Sequence, residues 1–319
     1  MIKHGLLICS FEAKKKYSSG DKDLYKLNSP IESTVHGQFL NIFAIMEAFI
    51  DKFKEYHNDE KVMKMFSIDK SSVITESKDT YTFLSCIIMS GAYGYESEMT
   101  NKDTFEVVYT RKKEDADIKP FQMLMYVPHD TIDKSVIKGM LIFETIGSYG
   151  VKTITVQNMK MFFSDVCGLT LITRSISVRL FVERLFQEGK LSRITLVNNK
   201  VSADPSDNIF LNSGREEKAY FKPRLTNTFI NKVLNFIGGS IQGDEILEIN
   251  DTTYDDIKFT FLHAGRTKTV SLMALDSFSI IEDIPEHIYP NGDVNRENLI
   301  IHMEQVAKEY ASKMIFYIE

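Results

Sequence analysis

Cysteine is scarce in this 319-residue chain and widely scattered, at Cys9, Cys86 and Cys167. An odd, dispersed trio makes neither a disulfide framework nor a metal knuckle, and it fits a reducing cytoplasm. Long apolar runs are missing too, and no segment has the uninterrupted length of a membrane span. The opening MIKHGLLICSFEAKKK carries too short an apolar stretch for a secretory signal before charge sets in. A soluble, cytoplasmic protein with no membrane partner is expected. Histidine is equally dispersed: the seven (His4, His36, His57, His129, His263, His287, His302) form no H-x-x-x-H, and C-x-x-C does not occur. A catalytic zinc site normally shows such a local pair, so no metal or other cofactor is expected. The G-x-S-x-G elbow of many hydrolases is absent. All three cysteines sit in apolar runs, where inert burial is the commoner fate. Repeats and low-complexity tracts are lacking as well.

What is present suits a globular protein, with 43% hydrophobic and 26% charged residues. In STVHGQFLNIFAIMEAFIDKFKEYHNDE the apolar residues Val35, Phe39, Ile42, Phe43, Met46, Phe49, Ile50 and Phe53 follow the helical period. This predicts an amphipathic helix capped by Ser33 or Thr34 and ending near His57. Strand-like segments follow: KVMKMFSI, SSVIT, YTFLSCIIMSGAYGYES, TFEVVYTRK, PFQMLMYVP and KGMLIFETIG. Their connections are too short for crossover helices, so they are expected to pair antiparallel as a meander. Further on, LTLITR, SVRLFVERLFQEG and LSRITLVNN read as a β-α-β crossover. RLTNTFINKVLNFIGG reads as a helix, and DEILEI, DIKFTFLHAGRTKTVSLMAL and FSIIEDIP as strands, the second folding on AGRT. A final amphipathic helix, capped by Asp293 or Asn295, points Leu299, Met303, Val306 and Tyr310 inward. The predicted class is α+β: an N-terminal helix packed on an antiparallel meander over 1–153, then a mixed α/β portion over 154–319.

Two short stretches echo each other, GAYGYES from Gly91 and GSYGVKT from Gly147, each with a tyrosine between glycines. Glycine inside a strand pattern marks a bend or a close backbone approach, which is the reading adopted for both. Only the second corner precedes a helix, and it carries Lys152 and Thr153. It is therefore the better placed of the two to offer backbone N–H groups to an anion.

Charge is unevenly spread around a net −6. Leu171 to Arg224 holds ten basic against six acidic residues, and Gly243 to the end six against fifteen. Basic residues gather at Arg111, Lys112 and Lys113, and again at Arg174, Arg179, Arg184, Lys190 and Arg193. With Tyr149 and Lys152 they form the candidate nucleic-acid surface, because backbone phosphates need cations and bases need aromatic faces. A second candidate is a Mg²⁺-dependent nuclease. Such enzymes set acids on one strand and D/E-x-K on the next, the pattern offered by Asp244 and Glu245 followed by Asp256 and Lys258. Asp117-Ile118-Lys119 is a second, looser match. The third is a non-catalytic scaffold subunit whose acidic C-terminal portion docks a protein partner.

The order YGYESE, VVYTRKKEDADIKPFQMLMYVP, KGMLIFETIGSYGVKT and GKLSRITLVNN resembles uncharacterised bacterial proteins encoded among phage-defence genes and mobile elements. That resemblance implies a bacterial cytoplasmic setting and a role in defence, and it carries no residue roles. The function expected is an interaction protein, not an enzyme, that recognises nucleic acid or a phage component.

Overall fold

The computed structural model describes residues 4–17, 23–34, 37–147, 149–175, 182–183, 185–187, 189–201, 214–237, 246–249, 252–263, 266–273, 281–312 and 314–318. The chain divides into two compact units, Met1–Arg174 with Ile281–Glu319, and Ser175–Ile280. It thus builds most of the first unit, then the second, and returns to the first, a division that differs from a boundary at 153.

The first unit begins with β1 (His4–Lys15), β2 (Ile31–Ser33), β3 (Gly37–Phe39), α1 (Ile42–Lys52), β4 (His57–Asp59), β5 (Lys64–Ser77) and β6 (Tyr81–Ala92). It continues through β7 (Ser97–Thr100), β8 (Val107–Arg111), β9 (Lys119–Pro128), β10 (Ser135–Val136), β11 (Lys138–Ile146), β12 (Tyr149–Gly150), α2 (Lys152–Cys167) and β13 (Leu169–Ser175). The second unit holds β14 (Lys190–Val201), β15 (Gly214–Phe221), α3 (Asn227–Ile237), β16 (Glu248–Ile249), β17 (Thr252–Thr253), β18 (Asp256–His263) and β19 (Arg266–Ser271). On its return the chain adds β20 (Ile281–Asp283), α4 (Arg296–Ala311) and β21 (Tyr317–Ile318) to the first.

The α+β expectation is corrected: the protein is mostly β, and the chain opens with a strand, not a helix. A nine-stranded, curled antiparallel half-barrel runs β13-β1-β11-β9-β6-β5-β4, with β12 beside β11 and β20 beside β1. β1 escapes sequence reading because it is buried on both faces. Cys9, Phe11 and Ala13 join the core formed with α1 and α2, while Leu6 and Ile8 are equally buried outside that cluster. A strand covered on both sides shows no apolar–polar alternation.

The leading helix is also shorter than its periodicity suggests. Asn41, not Ser33 or Thr34, caps α1, its side chain accepting from the N–H groups of Phe43 and Ala44 at 3.0 and 3.1 Å. Residues upstream pair instead as β2 and β3. The predicted mixed α/β portion is corrected as well. β13 belongs to the half-barrel and β14 to a separate four-stranded sheet, β15-β14-β18-β19, so no parallel crossover joins them. β18 and β19 make the hairpin on AGRT. The described part of DEILEI, residues 246–249, supplies no neighbour for β18, whose partners are β14 and β19. Its described end, Glu248–Ile249, pairs with Thr252–Thr253. The helices predicted after Arg224 and Asn295 form as α3 and α4, the latter capped by the Asn295 side chain with Leu299, Met303, Val306 and Tyr310 buried. No helix among the described residues is long and apolar enough to cross a membrane.

One face of the half-barrel is covered by α1 and α2, and α4 packs against β9 and β11. Glu144 of β11, wholly buried, ties these pieces together. One oxygen lies 3.0 Å from His4 Nδ1, while the other accepts from the Gln122 backbone N–H at 2.9 Å and from the Arg296 guanidinium of α4. Glu144→Ala should cost about 1–3 kcal/mol, because the buried Gln122 N–H and His4 lose this acceptor. Urea denaturation followed by circular dichroism measures this, and a loss under about 1 kcal/mol would deny the cluster that role.

Candidate functional site

The two glycine corners lie at the same end of the half-barrel. β6 ends at Gly91–Ala92, where a Cβ on Gly91 would collide with the Asp117 carbonyl of the passing chain. Gly94 then turns with φ +95°, and its N–H donates to the Lys113 carbonyl at 2.7 Å. The second corner is a tight hairpin in which Ile146 pairs with Tyr149 and Thr145 with Gly150. Gly147, at φ +59°, supplies the left-handed residue such a turn needs. Because β9 separates β6 from β11 in the sheet, the corners lie two strands apart at one end of it.

Between them lies a cleft of about 180 Å³ lined by Lys64, Gly91, Tyr95, Asp117, Lys119, Phe121, Tyr149 and Gly150. A second hollow of about 450 Å³ shares Tyr95 and Asp117 and continues beneath the β7–β8 hairpin, past Met99, Tyr109, Arg111, Asp115 and Ile118. Aromatic rings and cations alternate along this path. The Arg111 guanidinium rests 4.1 Å from the Tyr95 ring centroid, and Lys119 Nζ lies 4.9 Å from that of Tyr149. Tyr95 and Tyr149 stay about half exposed, at 48% and 56%. Lys119 also pairs with Asp117, which steadies the ammonium over the ring.

Of the candidate nucleic-acid residues, Arg111, Lys112, Lys113, Tyr149 and Lys152 all lie in the first unit. Arg111 is buried, with Nε donating to the Asp115 carbonyl at 2.9 Å and Nη2 to the Ala92 carbonyl. It is a strut for the corner and has little left for a phosphate. Lys112 and Lys113 are exposed. Lys152 opens α2 directly after the second corner, a helix start without a side-chain cap bond. Arg174 is exposed at the end of β13, 3.8 Å from Glu12. Lys190 and Arg193 are exposed on β14 of the second unit. Arg179 and Arg184 lie outside the described residues.

Among the nuclease candidates, Asp244 and Glu245 also lie outside the described residues. Asp256 accepts from the Ser271 hydroxyl at 2.7 Å and the Met273 N–H at 3.1 Å, so both its oxygens are engaged. Lys258 sits 3.4 Å from Glu217. No group of three or more His, Cys, Asp or Glu side chains able to hold a metal occurs among the described residues. Burial pushes the thiols of Cys9 and Cys167 up to about 11 and that of Cys86 to about 12, away from nucleophilic use. The acidic C-terminal portion is split, 243–280 in the second unit and 281–319 in the first. Within the first, Glu282 accepts from Tyr310, and Glu304 accepts from Tyr81 beside Lys308.

Sequence reading missed Lys64 and Lys119 as members of this cleft, and Tyr109 as a member of the adjoining hollow. Lys119 was visible only as part of a D-I-K triplet, where alternate residues of an extended chain share a side. In the first corner it is Tyr95, not the Tyr93 between the glycines, that lines the cleft.

The hydrogen bond Tyr109 donates to Asp115, helped by desolvation, raises the phenol above its ordinary range, and the same bond lowers the Asp115 carboxyl. The raised phenol favours the fold below the ordinary tyrosine range, an advantage lost as pH rises through its folded value. The lowered carboxyl favours the fold above the ordinary carboxylate range, lost as pH falls through its folded value. Asp115→Asn should therefore bring the Tyr109 titration down toward about 10, read as phenolate absorbance against a Tyr109→Phe reference. Gly91→Ala should cost about 1–3 kcal/mol in chemical denaturation, since backbone must move to admit the methyl group.

No protein-family model matches this chain, and no curated protein matches it. The ground for a functional reading is therefore the cleft itself, where paired cations and half-exposed tyrosines line a path between two fixed glycine corners.

Proposed function

We propose that the protein is a binding module that holds a single-stranded nucleic-acid segment along the cleft between the glycine corners. The observation that carries this reading is that Tyr95 and Tyr149, each backed by its own cation, line one narrow hollow with Lys64. Half-exposed rings offer stacking faces to unpaired bases, and such stacking tolerates any sequence. Lys64 and Lys119, with exposed Lys112 and Lys113 nearby in the chain, supply phosphate contacts. Asp115 and Asp117 limit the local positive charge, so the proposed affinity rests on stacking more than on a broad basic field. The defence setting implied by the motif resemblance belongs to the same proposal, a phage-derived single strand being one such ligand.

Fluorescence anisotropy with labelled oligo-dT and oligo-U at two salt concentrations tests the reading. Binding should weaken with salt, and Lys119→Ala and Lys64→Ala should each flatten the log–log slope by roughly 0.7–1. Tyr149→Ala should cost about 1–3 kcal/mol while leaving the slope unchanged. Arg193→Ala, on the second unit, should change neither quantity. Absence of binding at low salt, or full affinity in Tyr149→Ala, would sink the proposal.

A further inference from the structure

The β7–β8 hairpin is a sheet of its own, and among the described residues β8 has no strand beside it other than β7. A two-stranded ribbon is marginal in water, and an open edge offers its N–H and C=O groups to any incoming strand. Every residue from Asn101 to Thr110 is exposed, Phe105 to 81% and Val108 to 66%, with Val107 and Tyr109 about half exposed. The hairpin is nevertheless fixed at both ends. At its tip, Asn101 Oδ1 accepts from the N–H groups of Asp103 and Thr104 at 2.8 and 3.1 Å, and the Asn101 carbonyl accepts from the Phe105 N–H at 2.8 Å. Phe105 is thereby held at φ +57°, a left-handed conformation that a bulky side chain rarely takes. Backbone kept in that region collects at functional sites. At the base, Arg111 donates to the Ala92 and Asp115 carbonyls. An edge ordered in advance loses little entropy when a strand adds to it.

The sequence of β8 says which strand fits. From Glu106 to Lys112 it reads EVVYTRK, with an acid at its entry and bases at its exit. Antiparallel pairing with the β8 of a second copy, centred on Val108, sets Val108 against itself and Val107 against Tyr109, apolar against apolar. It also sets Glu106 opposite Thr110, with Lys112 of the other copy on the diagonal, within reach of the carboxylate. The contact is isologous, so each favourable pair occurs twice. A parallel pairing in register would instead set Glu106 beside Glu106 and Lys112 beside Lys112. Five residues of strand from each copy make a small interface, of transient and not obligate size.

We propose that β8 is a self-association edge: two copies of the chain pair their β8 strands antiparallel about Val108 and join their hairpins into one continuous sheet. Sedimentation velocity on the full chain, without nucleic acid and over a wide range of concentration, tests this. The weight-average mass should rise from one chain toward two as concentration increases. Val108→Lys sets two ammonium groups opposite each other at the centre and should leave monomer throughout, with circular dichroism reporting that the fold is kept. Glu106→Lys and Lys112→Glu each turn two attractions into repulsions and should weaken the dimer about tenfold. An equimolar mixture of those two variants should regain the wild-type association, because each copy then supplies the charge that the other lacks. A chain that stays monomeric at every concentration overturns the proposal and leaves the edge to an unlike strand. Association unchanged in Val108→Lys overturns it, since the interface would then lie elsewhere. So does a mixture that associates no better than its two components.

Discussion

A single buried carboxylate organises the first unit. Glu144 sits within the half-barrel with no exposed surface, and burying such a charge is tolerable only when donors surround it. Its donors come from both ends of the chain and from the neighbouring strand: His4 in β1, the Gln122 backbone in β9, and Arg296 at the start of α4. The carboxylate therefore links the first strand to a helix that follows the second unit in the chain. With α4 pinned there, the half-barrel is covered on both faces.

The glycine-corner cleft depends on the same sheet from its opposite concern, which is how strands end. Gly91 lets the Asp117 carbonyl pass, and Arg111 then fastens that passing loop to Ala92 and Asp115. A basic residue that looks like a phosphate ligand in the sequence is spent on backbone carbonyls and on the face of Tyr95. The proposed chemistry falls to shorter-range groups, the half-exposed tyrosines and the lysines around them. This suits a chain of net charge −6, which has no general attraction for polyanions.

Legibility followed burial pattern. α4 is readable because one side is wet and the other dry, so Leu299, Met303, Val306 and Tyr310 stand out at helical spacing, with Asn295 ready to cap. The β18–β19 hairpin is readable from AGRT between alternating residues. The start of α1 is misplaced because Val35 and Phe39 continue its apolar period, whereas Asn41 offers the bonds that begin the helix. β1 is missed because covering both faces erases the alternation that marks a strand. Of the cleft, the glycine bends and Tyr149 are visible, but Lys64 lies far from either corner in sequence and no local pattern marks it.

By itself the sequence determined the local events: caps, turns, the apolar faces of α1 and α4, and the two sharp corners. These follow from interactions within a few residues, where backbone geometry and side-chain chemistry suffice. Tertiary structure alone decided which strands became neighbours, placing β13 and β14 in different sheets and β1 between β13 and β11. It also decided which charges were spent, since Arg111, Glu144 and Asp256 meet their partners only through the fold. Strand pairing and burial join residues far apart in the chain, and their free energy depends on all the other surfaces that must be covered at once.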